Sequence, residues 1–179
     1  MLGQPNVYLI GPMGSGKTAV GRRLATLLGK QFIDSDAEIE KRTGVDIRFI
    51  FEKEGEARFR DREREVIADL TALQGVVIAT GGGVVLDAAN RERLARTGTV
   101  VYLETTIETL VRRTKANKAR PLLLTDDPRG VLERLMAIRR PLYEEAADLR
   151  IETTGRQVRA VAADIQQRLA ARVAKTAAT

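Results

Sequence analysis

Cysteine, histidine and tryptophan are all absent from this chain of 179 residues. The missing cysteine excludes a disulfide framework and any thiolate metal site. The missing histidine reaches further: no imidazole is available as general base or metal ligand, so proton and metal chemistry must rest on carboxylates, hydroxyls and lysine. Aromatic side chains make up only 4%, thin material for a surface that stacks on nucleic-acid bases. Long hydrophobic runs are lacking too. None approaches the ~20 residues that span a bilayer, and the first residues lack the basic-then-apolar order of a secretory leader. A cytoplasmic protein that engages no membrane is therefore expected. There are no internal repeats or low-complexity linkers, and 179 residues with 44% hydrophobic content suit one domain with a full core.

What is present in excess is positive charge: 30 Lys and Arg against 24 Asp and Glu, for a net charge of +6 and a pI near 10.0. That balance raises nucleic-acid binding as one reading. The arginines alternate with acids, however, as in Glu56-Ala57-Arg58-Phe59-Arg60-Asp61-Arg62-Glu63-Arg64-Glu65. A small, multiply anionic ligand explains the balance equally well, and so do solvated, salt-bridged helix faces. No nucleic-acid partner is expected.

The most specific signal is Gly11-Pro12-Met13-Gly14-Ser15-Gly16-Lys17-Thr18, a full match to G-x-x-x-x-G-K-[ST]. The apolar run Val7-Tyr8-Leu9-Ile10 leads into it. An amphipathic stretch with Val20, Leu24, Leu27 and Leu28 leads out, so the strand–loop–helix context is complete. Gly11, Gly14 and Gly16 allow the backbone to curl and point its N–H groups inward, and the following helix adds the positive end of its dipole. Such a cradle holds di- and triphosphate oxygens. Lys17 would reach the β- and γ-phosphates, the Thr18 hydroxyl would take a place on Mg²⁺, and Ser15 and Ala19 complete the candidate ATP-binding segment.

A second short strand, Gln31-Phe32-Ile33, ends in Asp34-Ser35-Asp36, the sheet edge where open α/β proteins place ligands. Helices are expected from Ala37 to Arg42, from Ile47 to Glu52, and from Glu56 to Leu73 with Phe59, Val66, Leu70 and Leu73 at helical spacing. Val76-Val77-Ile78-Ala79 reads as a buried strand closed by Gly81-Gly82-Gly83. Those glycines imply a turn or a close approach to the backbone. No aspartate closes this strand, which makes the Asp34/Asp36 pair the better candidate for the outer shell of a metal. Asp87 would cap the next helix, Thr99 to Leu103 forms a strand, and Thr105-Thr106-Ile107-Glu108 has the form of a capping box. Residues 114–128 carry no periodicity and read as a long loop of the binding or lid type. A helix from Pro128 runs past Arg139-Arg140 to a kink or restart at Pro141. Leu149-Arg150-Ile151 is the last strand, and a helix with Val158, Val161, Ile165 and Leu169 on one side ends the chain. About five short strands alternating with helices argue a parallel sheet covered on both faces.

Taken together, the loop at 11–18, Asp34-Ser35-Asp36, Phe59-Arg60-Asp61-Arg62-Glu63, Gly81-Gly82-Gly83, Asn117-Lys118-Ala119-Arg120-Pro121-Leu122 and Met136-Ala137-Ile138-Arg139-Arg140-Pro141-Leu142-Tyr143 resemble the shikimate kinase family over nearly the whole chain. The resemblance implies an α/β fold of the P-loop nucleoside-monophosphate-kinase type, a three-layer sandwich with a five-stranded parallel sheet in order 2-3-1-4-5. It also implies a single domain with a substrate-binding helical insertion at about 35–64 and a lid at about 114–128. The implied reaction is transfer of phosphate from ATP to the 3-hydroxyl of shikimate, on the route to chorismate and the aromatic amino acids, by a monomer. By the same resemblance Arg60 and Arg139 clamp the shikimate carboxylate, Asp36 faces the attacking hydroxyl, and Gly81, Gly82 and Gly83 approach the substrate. Asp34 orients water on Mg²⁺, Lys17 and Arg120 stabilise the transferring phosphoryl group, and Arg113 and Arg156 lie on the nucleotide side.

An anionic polyol such as shikimate needs planar cationic clamps and carboxylate acceptors, which these residue types supply. From the residues alone, Arg60 could equally be a solvated helix arginine, Arg140 could replace Arg139, and Asp34 and Asp36 could be helix caps. A P-loop kinase for another polyol acid or a nucleoside monophosphate also remains open at this level.

Overall fold

The computed structural model describes residues 5–115 and 126–177. Five parallel strands, β1 (Asn6–Ile10), β2 (Gln31–Asp34), β3 (Val76–Ala79), β4 (Gly98–Glu104) and β5 (Leu149–Glu152), form one sheet in the order β2-β3-β1-β4-β5. Helices α1 (Lys17–Leu28), α2 (Ser35–Thr43), α3 (Ile47–Lys53), α4 (Gly55–Thr71), α5 (Ala88–Thr97), α6 (Ile107–Lys115), α7 (Pro128–Ala146) and α8 (Val158–Ala177) connect and cover them. The expected strand order is the one observed.

The strands explain the layers. In β1 every residue is buried, and the two-residue period sends alternate side chains to opposite faces. Val7 and Leu9 pack with Val77, Val101, Val20, Leu24, Val161 and Ile165 under α1 and α8. Tyr8 and Ile10 pack with Ile78, Val100, Phe59, Ile67 and Met136 under α4 and α7. A sheet buried on both faces puts its ligands at the carboxyl ends of the strands, where the loops after β1, β2 and β3 converge.

One contact sets how closely α1 lies on the sheet. A Cβ at Gly21, in mid-helix, would stand 2.6 Å from Phe32 Cε2 and 3.2 Å from Leu9 Cδ1. The Arg22 guanidinium covers the same Phe32 ring from 4.8 Å.

Four local expectations are corrected. Helix α4 ends at Thr71 and leaves Leu73 exposed, and Gly75 (φ 69) turns the chain into β3. Thr106, not Thr105, caps α6: its hydroxyl accepts from Thr109 N at 3.3 Å, while Thr105 meets the Thr154 hydroxyl at 3.0 Å. Pro141 lies inside α7, which continues through it to Ala146 instead of restarting, without the bond that its missing N–H would make one turn back. Val158 opens α8 on its exposed side.

Candidate active site

The phosphate cradle is a backbone object. Gly11, Gly14 and Gly16 have φ of 142°, 79° and 94°, values that L side chains rarely adopt. At Gly11 a Cβ would also lie 2.8 Å from the Leu103 carbonyl oxygen. No side chain among the described residues caps α1, so its first-turn N–H groups are available to an anion. The Lys17 ammonium is buried and donates to the Gly11 and Pro12 carbonyls at 2.7 and 2.8 Å, which holds it over the loop. Arg113 of α6 donates to the Gly14 carbonyl at 3.0 Å and so pins that helix to the cradle. The Ser15 hydroxyl is buried within the loop with no hydrogen-bond partner among the described residues.

Beside the cradle, the Thr18 hydroxyl donates to Asp34 Oδ2 at 2.9 Å. Asp34 Oδ1 caps α2, accepting from the N–H groups of Asp36 and Ala37 at 3.0 and 3.2 Å. One carboxylate thus serves as a helix cap and as partner to the loop's threonine.

The acceptor side is assembled from side chains. In α4 the apolar stripe Phe59, Val66, Ile67 and Leu70 also contains Glu63, 1% exposed. Arg60 Nη1 donates to Glu63 Oε2 at 2.7 Å and Nη2 to Glu56 Oε1 at 3.1 Å. Burial pushes the Glu63 carboxyl above its usual range, opposed by the charge and hydrogen bond of Arg60 and by the charge of Arg139. In α7 the buried stripe is Leu132, Met136, Arg139 and Tyr143, so helical spacing turns Arg139 inward and leaves Arg140 exposed.

Gly81 and Gly83 do not need a left-handed backbone; close approach explains them. A Cβ at Gly81 would stand 2.7 Å from Asp36 Oδ1 and 2.8 Å from Glu63 Oε1, and one at Gly83 would collide with the Arg60 guanidinium. Ser35 Oγ accepts from Gly81 N at 3.0 Å, and the Tyr143 hydroxyl donates to the Gly82 carbonyl.

A single cavity of about 650 Å³ joins the two sides. Gly14, Gly16, Lys17, Thr18, Ala19 and Arg113 line it at the cradle, Asp34 and Asp36 at the junction, and Arg60, Gly81, Gly82, Gly83 and Arg139 at the far side. Gly11 and Ser15 shape the loop from behind. Arg156 is not among the lining residues: it donates to Asp164 Oδ2 and to the Glu152 carbonyl, both at 3.0 Å. Arg120, with residues 116–125 of the expected lid, lies outside the described residues.

Glu63, Ser35 and Tyr143 were given no role in the sequence reading. For Glu63 a signal existed, an acid in the middle of a buried helical stripe and three residues after an arginine. The apolar wall of Ile47, Phe51 and Phe59 was likewise taken only as helix periodicity.

The shikimate kinase family model matches residues 13–170. The chain belongs to the shikimate kinase family. Among its relatives, a Vibrio cholerae shikimate kinase is 54% identical over 92% of this chain and 94% of its own, and one from Pseudoalteromonas atlantica is 55% identical over 92% and 96%. The structure of shikimate kinase from Acinetobacter baumannii, in complex with shikimate, superposes with a TM-score of 0.92 at 50% identity, covering 94% of both chains. A gluconokinase from Sinorhizobium meliloti shares the fold alone, with a TM-score of 0.57 and 16% identity. The activity of this chain is the ATP-dependent phosphorylation of shikimate, a step in aromatic biosynthesis.

Proposed function

We propose that the residues of the joined cavity divide this reaction between a phosphate end and an acceptor end. The single observation that carries this division is that one cavity connects Lys17 and Thr18 with Asp36, Arg60 and Arg139. The shikimate carboxylate pairs with the Arg60 and Arg139 guanidiniums, whose planar forks suit a carboxylate. Asp36 accepts the proton of the 3-hydroxyl. The hydroxyl oxygen forms a bond to the γ-phosphorus of ATP as the bond to the β,γ-bridging oxygen breaks, and ADP leaves with the electron pair. Lys17 meets the charge that builds on the transferring oxygens. Arg120 adds to this on the strength of the family resemblance, and Arg113 contributes from the nucleotide side.

Thr18 and Asp34 present only oxygen donors, the set a hard Mg²⁺ ion prefers, and their mutual hydrogen bond shows that the two reach one location. Thr18 would bind the ion directly and Asp34 through water. When bound, Mg²⁺ neutralises phosphate charge and orients the β- and γ-oxygens. The chain works as a monomer in the cytoplasm, a reading compatible with the finding that no helix among the described residues is long and apolar enough to cross a membrane.

The test is ADP release across an acceptor panel. Turnover with shikimate is expected to exceed that with gluconate or nucleoside monophosphates by orders of magnitude, and to fall by about 10² or more in Asp36→Asn. Faster turnover with another acceptor would overturn the reading of the acceptor end. Near-normal turnover in Asp36→Asn would reduce Asp36 to a helix residue.

A further inference from the structure

The wall of the acceptor pocket has a support that does not itself line the cavity. Arg139 and Tyr143 are one turn apart on the buried stripe of α7, 5% and 0% exposed. The Tyr143 hydroxyl donates to the Gly82 carbonyl, and the Arg139 guanidinium one turn away is near enough to act on its oxygen. A Cβ at Gly82 would lie 3.5 Å from Arg139 Nη1, so the guanidinium borders the glycine turn. The ring of Tyr143 stacks on Tyr102 of β4, with centroids 5.0 Å apart and planes 24° apart. That stack ties the hydroxyl's position to a central strand.

We infer that the Tyr143 hydroxyl is a positioning group for the acceptor site, fixing the Arg139 guanidinium against the Gly82 carbonyl so that the carboxylate clamp is set before shikimate arrives. A phenol can accept from the guanidinium and donate to the carbonyl at once. Phenylalanine at this position would keep the ring stack but lose the bond to Gly82 and the oxygen beside the guanidinium, leaving a buried carbonyl short of one partner and the turn free to shift against Arg139. Because a guanidinium on a long side chain must be locked by its neighbours to hold a planar ligand, the loss would appear as weaker acceptor binding and not as weaker nucleotide binding. Tyr143 touches neither substrate and acts through Arg139, so this inference rests on the clamp reading of Arg139.

The experiment is a double-mutant cycle of Tyr143→Phe and Arg139→Ala, with KM for shikimate and for ATP measured in each variant. Tyr143→Phe is expected to raise the shikimate KM about tenfold and to leave the ATP KM within twofold, which also reports that the variant is folded. In the Arg139→Ala background the same change is expected to add less than twofold. Equal effects on both KM values, no effect on either, or full additivity with Arg139→Ala would overturn the positioning role. If Arg139→Ala alone leaves the shikimate KM unchanged, the clamp itself is wrong and the inference falls with it; a raised KM in Arg139→Ala beside an unaffected Tyr143→Phe defeats the tyrosine's role alone. Should Tyr143→Phe fail to fold, difluorotyrosine placed at 143 keeps the ring shape while weakening the hydroxyl as an acceptor. It must then shift the shikimate KM and not the ATP KM, and an unchanged shikimate KM there overturns the proposal.

Discussion

The two ends of the cavity are built on opposite plans. The proposed phosphate end is one continuous stretch, residues 11–18, whose shape comes from three glycines with positive φ and which offers chiefly backbone N–H groups. The acceptor end draws Asp36 from α2, Arg60 and Glu63 from α4, the glycines after β3, and Arg139 from α7, with more than a hundred residues between the first and the last. A site made of backbone is insensitive to most side-chain changes around it but depends on a few residues absolutely. A site made of side chains, each held by another, degrades in steps. The difference predicts how each end fails.

The sharpest failure belongs to the backbone end. Lys17→Ala is expected to lower kcat by about 10³ with the fold preserved, because the task proposed for the lysine is to neutralise phosphate charge; melting curves and saturating-substrate rates decide it. Arg120→Ala comes next, with kcat down by at least about 10² and equilibrium affinities for ATP and shikimate much less changed, since an arginine serving phosphoryl transfer acts mainly on the transition state. A rate within threefold of the parent would remove that role.

Graded failure is expected on the acceptor side. The methyl of Gly83→Ala would push into the Arg60 guanidinium, so the shikimate KM should rise about tenfold while the ATP KM holds. Parallel rises in both would mean that the two ends are not separable. Glu63 offers a test by pH. Its carboxyl is raised in the folded state, so its contribution to stability is complete below the ordinary carboxylate pKa and is lost as pH rises through the raised value. The melting temperature of the parent relative to Glu63→Gln should therefore fall as pH rises above the ordinary carboxylate range. A flat difference would mean no shift, and a rising one a shift in the opposite direction. The smallest effect is assigned to Arg156→Ala. This arginine is committed to Asp164 and Glu152 outside the cavity lining, so the ATP KM should stay within about threefold and stability should drop by no more than ~1 kcal/mol. A large rise in the ATP KM would restore it to the nucleotide side.

The same contrast explains what could be read from the sequence. The cradle was legible because its rule is local: glycines at fixed offsets between a buried strand and a helix. The sheet was legible because strands buried on both faces are short apolar runs. The acceptor side was not legible from residue types, since Arg60 sits among Arg58, Arg62 and Arg64, which pair with Asp61, Glu54 and Asp87 near the surface. Only the family resemblance singled Arg60 out. Arg139 could have been separated from Arg140 by its place in the stripe with Leu132, Met136 and Tyr143. Asp34 shows why weighing cap against metal partner had no single answer, because one oxygen of its carboxylate caps α2 and the other meets the Thr18 hydroxyl. Ser35 and Tyr143 gave no local signal: their partners, Gly81 and Gly82, lie 46 and 61 residues away.

Gly21 has a consequence for tolerance. A glycine in mid-helix sacrifices about 1 kcal/mol of helix propensity relative to alanine, and here the missing methyl is what allows α1 to rest on Phe32. Thr18 stands one turn before Gly21 on that helix, and Asp34 stands two residues after Phe32 on that strand. The gap between hydroxyl and carboxylate is thus calibrated by a shim one hydrogen atom thick, placed where neither ligand touches. A methyl added there would force the Phe32 ring or the helix itself to move, and a shift of the helix would widen the gap from a position outside the cavity lining.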